Sequence, residues 1–156
     1  MTWLSDMISN PFLLTAVSSW LIAQVLKTVI NAVVQKKFSL ERLLGDGGMP
    51  SGHSATVTSL AAMSALTYGT GSFQFAVTTV LAIVVCHDAM GVRQETGKQA
   101  VMINEIVRSF RILSEENLQE VKLKEFVGHT PVQVIAGVLL GVINAFVMFY
   151  LVLERG

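Results

Sequence analysis

The chain has 156 residues, 52% of them hydrophobic and 14% charged, with no net charge and a positive mean hydropathy. That balance excludes an ordinary soluble domain and points to a membrane protein. A net charge of zero gives no field that would gather nucleic acid, and the one cysteine, Cys86, sits in an apolar run and offers neither a disulfide framework nor a thiolate metal site.

The first apolar segment runs from Phe12 to Val34. No Lys or Arg precedes it, only Asp6, so it lacks the basic start of a cleavable secretory signal and is expected to be retained. It contains Lys27, with Gln24 and Asn31 on the same helical side. A lysine there either faces a polar cavity or snorkels to the interface. Next comes "GDGGMPSGHSATVTSL", residues 45–60, leading into a second span from Ser54 to Tyr68. Gly69 to Gly71 suits a tight hairpin into a third span, Phe73 to Ala89. The stretch from Gly91 to Thr130 is mostly polar but spaces Met102, Ile103, Ile106, Val107, Phe110 and Leu113 as on an amphipathic helix, lying on the membrane surface or packed under the bundle. A fourth span follows, Pro131 to Leu153. The expected fold is all-α, a single polytopic membrane helical bundle over residues 1–156, with about four transmembrane helices plus an amphipathic cytoplasmic or interfacial helix.

Nine of the eleven basic residues fall in two loops, 35–53 and 90–130, which a four-span topology puts on one side. Lys and Arg in short loops stay cytoplasmic, so these loops are expected inside and the N-terminus outside. All three histidines then come to the cytoplasmic end: His53 before the second span, His87 near the end of the third, His129 before the fourth.

His53 and His129 each stand at a helix start, one capped by Ser51 or Ser54, the other by Thr130 with Pro131 at the first helical position. Helix starts present unpaired N–H groups and the positive end of the peptide dipole, which suit phosphate. Gly47, Gly48 and Gly52 would let the backbone approach such an anion closely. The plain alternative is a loop that ends in a serine cap, with His53 as an interfacial residue.

"PSGHS" at 50–54 resembles the central motif of the type 2 phosphatidic acid phosphatase and vanadium haloperoxidase superfamily. Together with "DAMGVRQETGKQA", "IN" and "KEFVGHTPVQVIAGVLLG", it resembles the short divergent branch of that superfamily, over about Ala23 to Gly141. The resemblance implies that His53 acts as general acid toward the leaving oxygen and that His129 attacks phosphorus to form a phosphohistidine. Gln133 stands where the superfamily has the aspartate that orients this imidazole. Leu123, flanked by Lys122 and Lys124, stands where it has an arginine. Lys27 is the counterpart of the first motif's lysine, although no Arg-Pro pair follows it.

In place of the missing arginines, Arg93 and Lys98 can clamp phosphate, with Asp88 orienting a histidine. Asp88 can instead form a local ion pair with Arg93 or Lys98, or join Glu95 and Glu105 and the histidines around a divalent metal. Gln99 and Asn104 are expected to point into the same cavity, and Gly48, Ser51, Gly52 and Gln133 to line the phosphate. Gly137 and Gly141, with Ala61 and Ala65, read as close helix packing.

The leading expectation is a membrane phosphatase for a phosphate monoester or pyrophosphate, one carried by a lipid in the bilayer or a small phosphoester. It would require no cofactor, and vanadate would bind as a phosphate mimic. The competing readings are a binding or transport protein that keeps the anion cradle without the chemistry, and a purely structural subunit. Four spans give less wall than a six-helix core, so a homodimer is one way to complete the site.

Overall fold

The computed structural model describes residues 3–35, 48–114, 123 and 128–153, and for residues 34–35, 92–94, 111–114 and 152–153 it describes the backbone only. Its helices are α1 (Trp3–Ile8), α2 (Pro11–Gln35), α3 (Gly52–Tyr68), α4 (Phe73–Met90), α5 (Val92–Ser114) and α6 (Pro131–Met148), the last running into a π-helical turn at Phe149–Leu153. There is no strand among the described residues, and the chain is an all-α membrane protein.

Each helix begins where the sequence supplies a cap. The Asn10 side chain accepts from the amides of Phe12 and Leu13 ahead of α2. Ser51 caps α3, Ser72 caps α4 and Thr130 caps α6. These side chains satisfy N–H groups that a helix start leaves without an internal partner. The α3–α4 hairpin closes at Gly69, whose φ of 80° favours glycine, and Ser72 bonds back to the Gly69 carbonyl through both its amide and its hydroxyl.

α3 lies at the centre, packed against α2, α4 and α6. It runs parallel to α6, because Gly137 faces Ser51 and Ser54 while Gly141, one turn on, faces Ala55 and Ser59. A Cβ at either glycine would collide with an α3 backbone carbonyl, so glycine sets the closeness of this seam. The small residues opposite are Ser51, Ala55 and Ser59 rather than the expected Ala61 and Ala65. α2 runs the other way: Phe12 at its start stacks on Tyr68 at the end of α3, with ring centroids 5.3 Å apart.

Burial is inverted relative to a soluble protein. The interior holds Thr15, Ser19, Gln24, Lys27, Thr28, Ser54, Ser59, Ser64 and Asn144, while Leu21, Val25, Val29, Val80, Ile83, Ile135, Leu139 and Ile143 face outward. A bilayer is the solvent in which that arrangement is stable, since lipid accepts the apolar side chains and the polar ones bond to each other inside. Asn144 donates to the Thr15 carbonyl and to the hydroxyls of Ser18 and Ser19 at 2.8–3.1 Å, joining α6 to α2.

Three stretches of the described residues are long and apolar enough to cross a membrane: Pro11–Val33, Phe73–Phe110 and Pro131–Leu151. The expected fourth span, α3, has 17 residues, about 25 Å of helix against a hydrocarbon core of about 30 Å. Because α3 is wrapped by its neighbours, packing rather than lipid thickness governs its length. The amphipathic helix starts earlier than its apolar spacing indicated, at Val92, and follows α4 with only Gly91 between.

Candidate active site

α2 and α4 finish at the end of the bundle where α3 and α6 begin. The strand of chain leading into α3 is held there by backbone contacts. The Ser51 amide donates to the Gln133 carbonyl at 2.9 Å, and Gly137 leaves room for the Ser51 carbonyl. Ser51 is fully buried, and its hydroxyl accepts from the Ser54 amide and the Ser54 hydroxyl. Both its polar ends are therefore engaged in fixing the turn, and the amides that a ligand could use at this helix start begin with Gly52. Gly48 has a φ of 95°, a region costly for any residue with a Cβ, and the stem of Lys27 lies directly against it.

α2 lays one face along this turn. A Cβ on Gly48 would stand 3.0 Å from Lys27 Cγ, and one on Gly52 would stand 3.4 Å from Trp20 Cδ1. Lys27 is only 5% exposed, so it does not snorkel into water. Its charged end is enclosed on the side of the bundle that carries the histidines.

His129 lies just outside α6. Its amide donates to the Ala89 carbonyl at 3.0 Å, tying the start of α6 to the end of α4 beside Asp88. It is 4% exposed, and its ring centroid is 5.9 Å from that of His53, edge to face at 61°. Two imidazoles this close can both reach oxygens of one phosphate.

Gln133 completes a capping box with Thr130: the Thr130 amide donates to Gln133 Oε1 at 3.1 Å, and the Gln133 amide donates to Thr130 Oγ1. The same Oε1 lies 3.2 Å from His129 Nδ1. Because an amide N–H already points at this atom, it must be the oxygen, and Nδ1 then carries the hydrogen. In the neutral ring the lone pair is left on Nε2. Gln133 thus supplies two of the three things an aspartate would, orientation and tautomer, but not negative charge.

The residues expected from "DAMGVRQETGKQA" behave differently. Asp88 is half-buried near the site. Lys98, 64% exposed at its side chain, pairs with Glu95 at 2.6 Å one turn earlier, so neither serves Asp88 as an ion-pair or metal partner. Among the described residues no three His, Cys, Asp or Glu side chains gather as a metal set. Gln99 is exposed. Asn104 does not share a cavity with it: its amide exchanges hydrogen bonds of 2.9 and 3.0 Å with the backbone of Leu123. The Arg93 side chain and residues 122 and 124 lie outside the described residues. Trp20, read from sequence as an interface anchor, belongs to the site wall; its spacing of seven from Lys27 was the available signal.

A polar-cored all-α bundle with lipid-facing apolar residues defines an integral membrane protein, here with two histidines at one end. The chain belongs to the Divergent PAP2 family, whose description matches residues 8–144. It is similar to the uncharacterized membrane protein YuiD of Bacillus subtilis (strain 168), 37% identical over 154 residues, covering 93% of this chain and 98% of that relative. No solved structure matches it.

Proposed function

We propose that this chain is a membrane phosphatase that hydrolyses a phosphate monoester or pyrophosphate, carried by a lipid, at the cytoplasmic face. The observation that carries the reading is the His53–His129 pair, 5.9 Å apart, with Gln133 holding His129 in the tautomer that leaves Nε2 basic. Nε2 attacks phosphorus in line, the P–O bond to the leaving group breaks, and the departing oxygen takes a proton from His53. Water then attacks the phosphohistidine and gives its proton to His53, the P–N bond breaks, and both rings return to their starting state. Lys27 and the amides of Gly52 and His53 neutralise the developing charge. Asp88 helps orient the site from the end of α4. Lys98 has no part in this scheme, being exposed and paired with Glu95. The cytoplasmic assignment rests on the nine basic residues of the two long loops.

Purified protein given a panel of lipid phosphates and small phosphoesters should release phosphate. His129→Ala should reduce release to background, and His53→Ala should slow it by about 10²–10⁴-fold, the usual contribution of general acid catalysis. Release that is equal in wild type and His129→Ala would sink the proposal.

One observation favours a second reading, an anion-binding protein without turnover: Gln133 cannot stabilise an imidazolium as a carboxylate does. That reading predicts retained phosphate or vanadate binding with no release from any substrate.

A further inference from the structure

Gln24 is 7% exposed, and its Oε1 is fully buried with no hydrogen-bond partner among the described residues. Buried polar atoms are nearly always paired, so an acceptor left alone in a packed interior calls for a reason. Its place supplies one. Trp20, Gln24 and Lys27 occupy one stripe of α2 at i, i+4 and i+7. Trp20 packs on Gly52 and Lys27 packs on Gly48. Gln24, between them, faces the turn that leads into the start of α3, next to the buried ammonium and on the side of the two histidines.

The remaining groups around this turn are donors: the amides at the start of α3, the Lys27 ammonium and, when protonated, the imidazoles. An anion that only accepts hydrogen bonds would satisfy all of them and leave Gln24 Oε1 bare. A phosphoryl group that keeps one proton would satisfy both sets, its P–O⁻ oxygens facing the donors and its P–OH facing Gln24. We infer that Gln24 is a ligand-binding residue that accepts a hydrogen bond from the hydroxyl of a protonated phosphoryl group, and so selects phosphate over anions that carry no proton. This inference rests on the phosphate site proposed above and names the form of phosphate that the site takes.

The test compares inorganic phosphate with sulfate, which has the same shape but no proton at neutral pH, by equilibrium binding to the full chain in detergent. Wild type should bind phosphate at least about tenfold more tightly than sulfate, the value of one well-placed hydrogen bond. Gln24→Met, which keeps the length and apolar volume of the side chain, should weaken phosphate binding by about tenfold while leaving sulfate binding unchanged. Its thermal midpoint without ligand should equal or exceed that of wild type, because a lone buried acceptor has been removed. A structural glutamine predicts the opposite pair, a lower midpoint and an unchanged phosphate-to-sulfate ratio, and that result would overturn the inference.

Turnover separates the two proposals. Phosphate selectivity lost in Gln24→Met, in a protein that releases no phosphate from any ester, would uphold the inference and remove the phosphatase. Turnover with an unchanged phosphate-to-sulfate ratio in Gln24→Met would do the reverse. A wild type that binds no phosphate would end both.

Discussion

The α3–α6 seam and the α4–α5 arm meet at the same end of the molecule yet are built on opposite terms. In the seam, glycine meets backbone, serine hydroxyls bond inward, and His53 and His129 are brought within contact of each other. Along the arm, Lys98 and Glu95 pair in the open, Asn104 holds a loop residue, and Val101, Met102, Ile103, Ile106 and Phe110 are exposed. The difference separates polar residues that share a site from polar residues that only share a stretch of sequence. A histidine in the seam has its position fixed by several elements at once. A lysine on the arm is fixed by a single turn of its own helix.

Substitutions that graded these two regions would test the contrast. The largest effect should come from Gly141→Leu, which drives a side chain into the Ala55 carbonyl. Overpacking of this kind should cost about 3 kcal/mol or more, read as loss of the thermal transition in detergent. Gln133→Leu should follow. It removes the capping box, for about 1 kcal/mol, and frees the His129 ring, so phosphate release should fall by roughly 10²-fold. Gln133→Glu keeps the acceptor and should retain more of the rate than Gln133→Leu, a ranking that measures orientation directly. Asn104→Ala should leave turnover intact and cost about 1 kcal/mol or less, visible as faster amide exchange at Leu123. Lys98→Ala should change phosphate release by less than about twofold, as expected of an exposed ion pair. A large loss of activity in Lys98→Ala would show that the arm takes part in the site after all.

Much of this was legible in the sequence because the determinants are local. Apolar runs mark the helices, caps mark their starts, and "PSGHS" and "GHTP" mark the two histidines. Thr130-Pro-Val-Gln133 even carries the capping-box spacing, from which the fixed tautomer of His129 follows once Nδ1 is known to lie beside Gln133. What was hidden depends on contacts between distant segments. No spacing says that the Ser51 amide is committed to Gln133, so Ser51 reads as a phosphate ligand when it is a buried strut. Gln99 and Asn104 looked alike at five residues apart, and only the approach of Leu123 separates them. Lys98 could have been read correctly, since Glu95 precedes it at a spacing that favours pairing.

Asn144 has a consequence for the depth of the site. In lipid, apolar helix surfaces slide past one another at little cost, and nothing in their composition sets how far one protrudes beyond the next. By gripping the Thr15 carbonyl and two hydroxyls of α2, the Asn144 amide fixes the axial offset of α2 and α6 far from the histidines. Lys27 lies twelve residues along α2 from Thr15, about 18 Å of rigid helix. A slip of one residue at that anchor would move the ammonium by about 1.5 Å, enough to take it out of hydrogen-bond range of a bound anion. A side chain near the far leaflet therefore works as the ruler for the chemistry at this one.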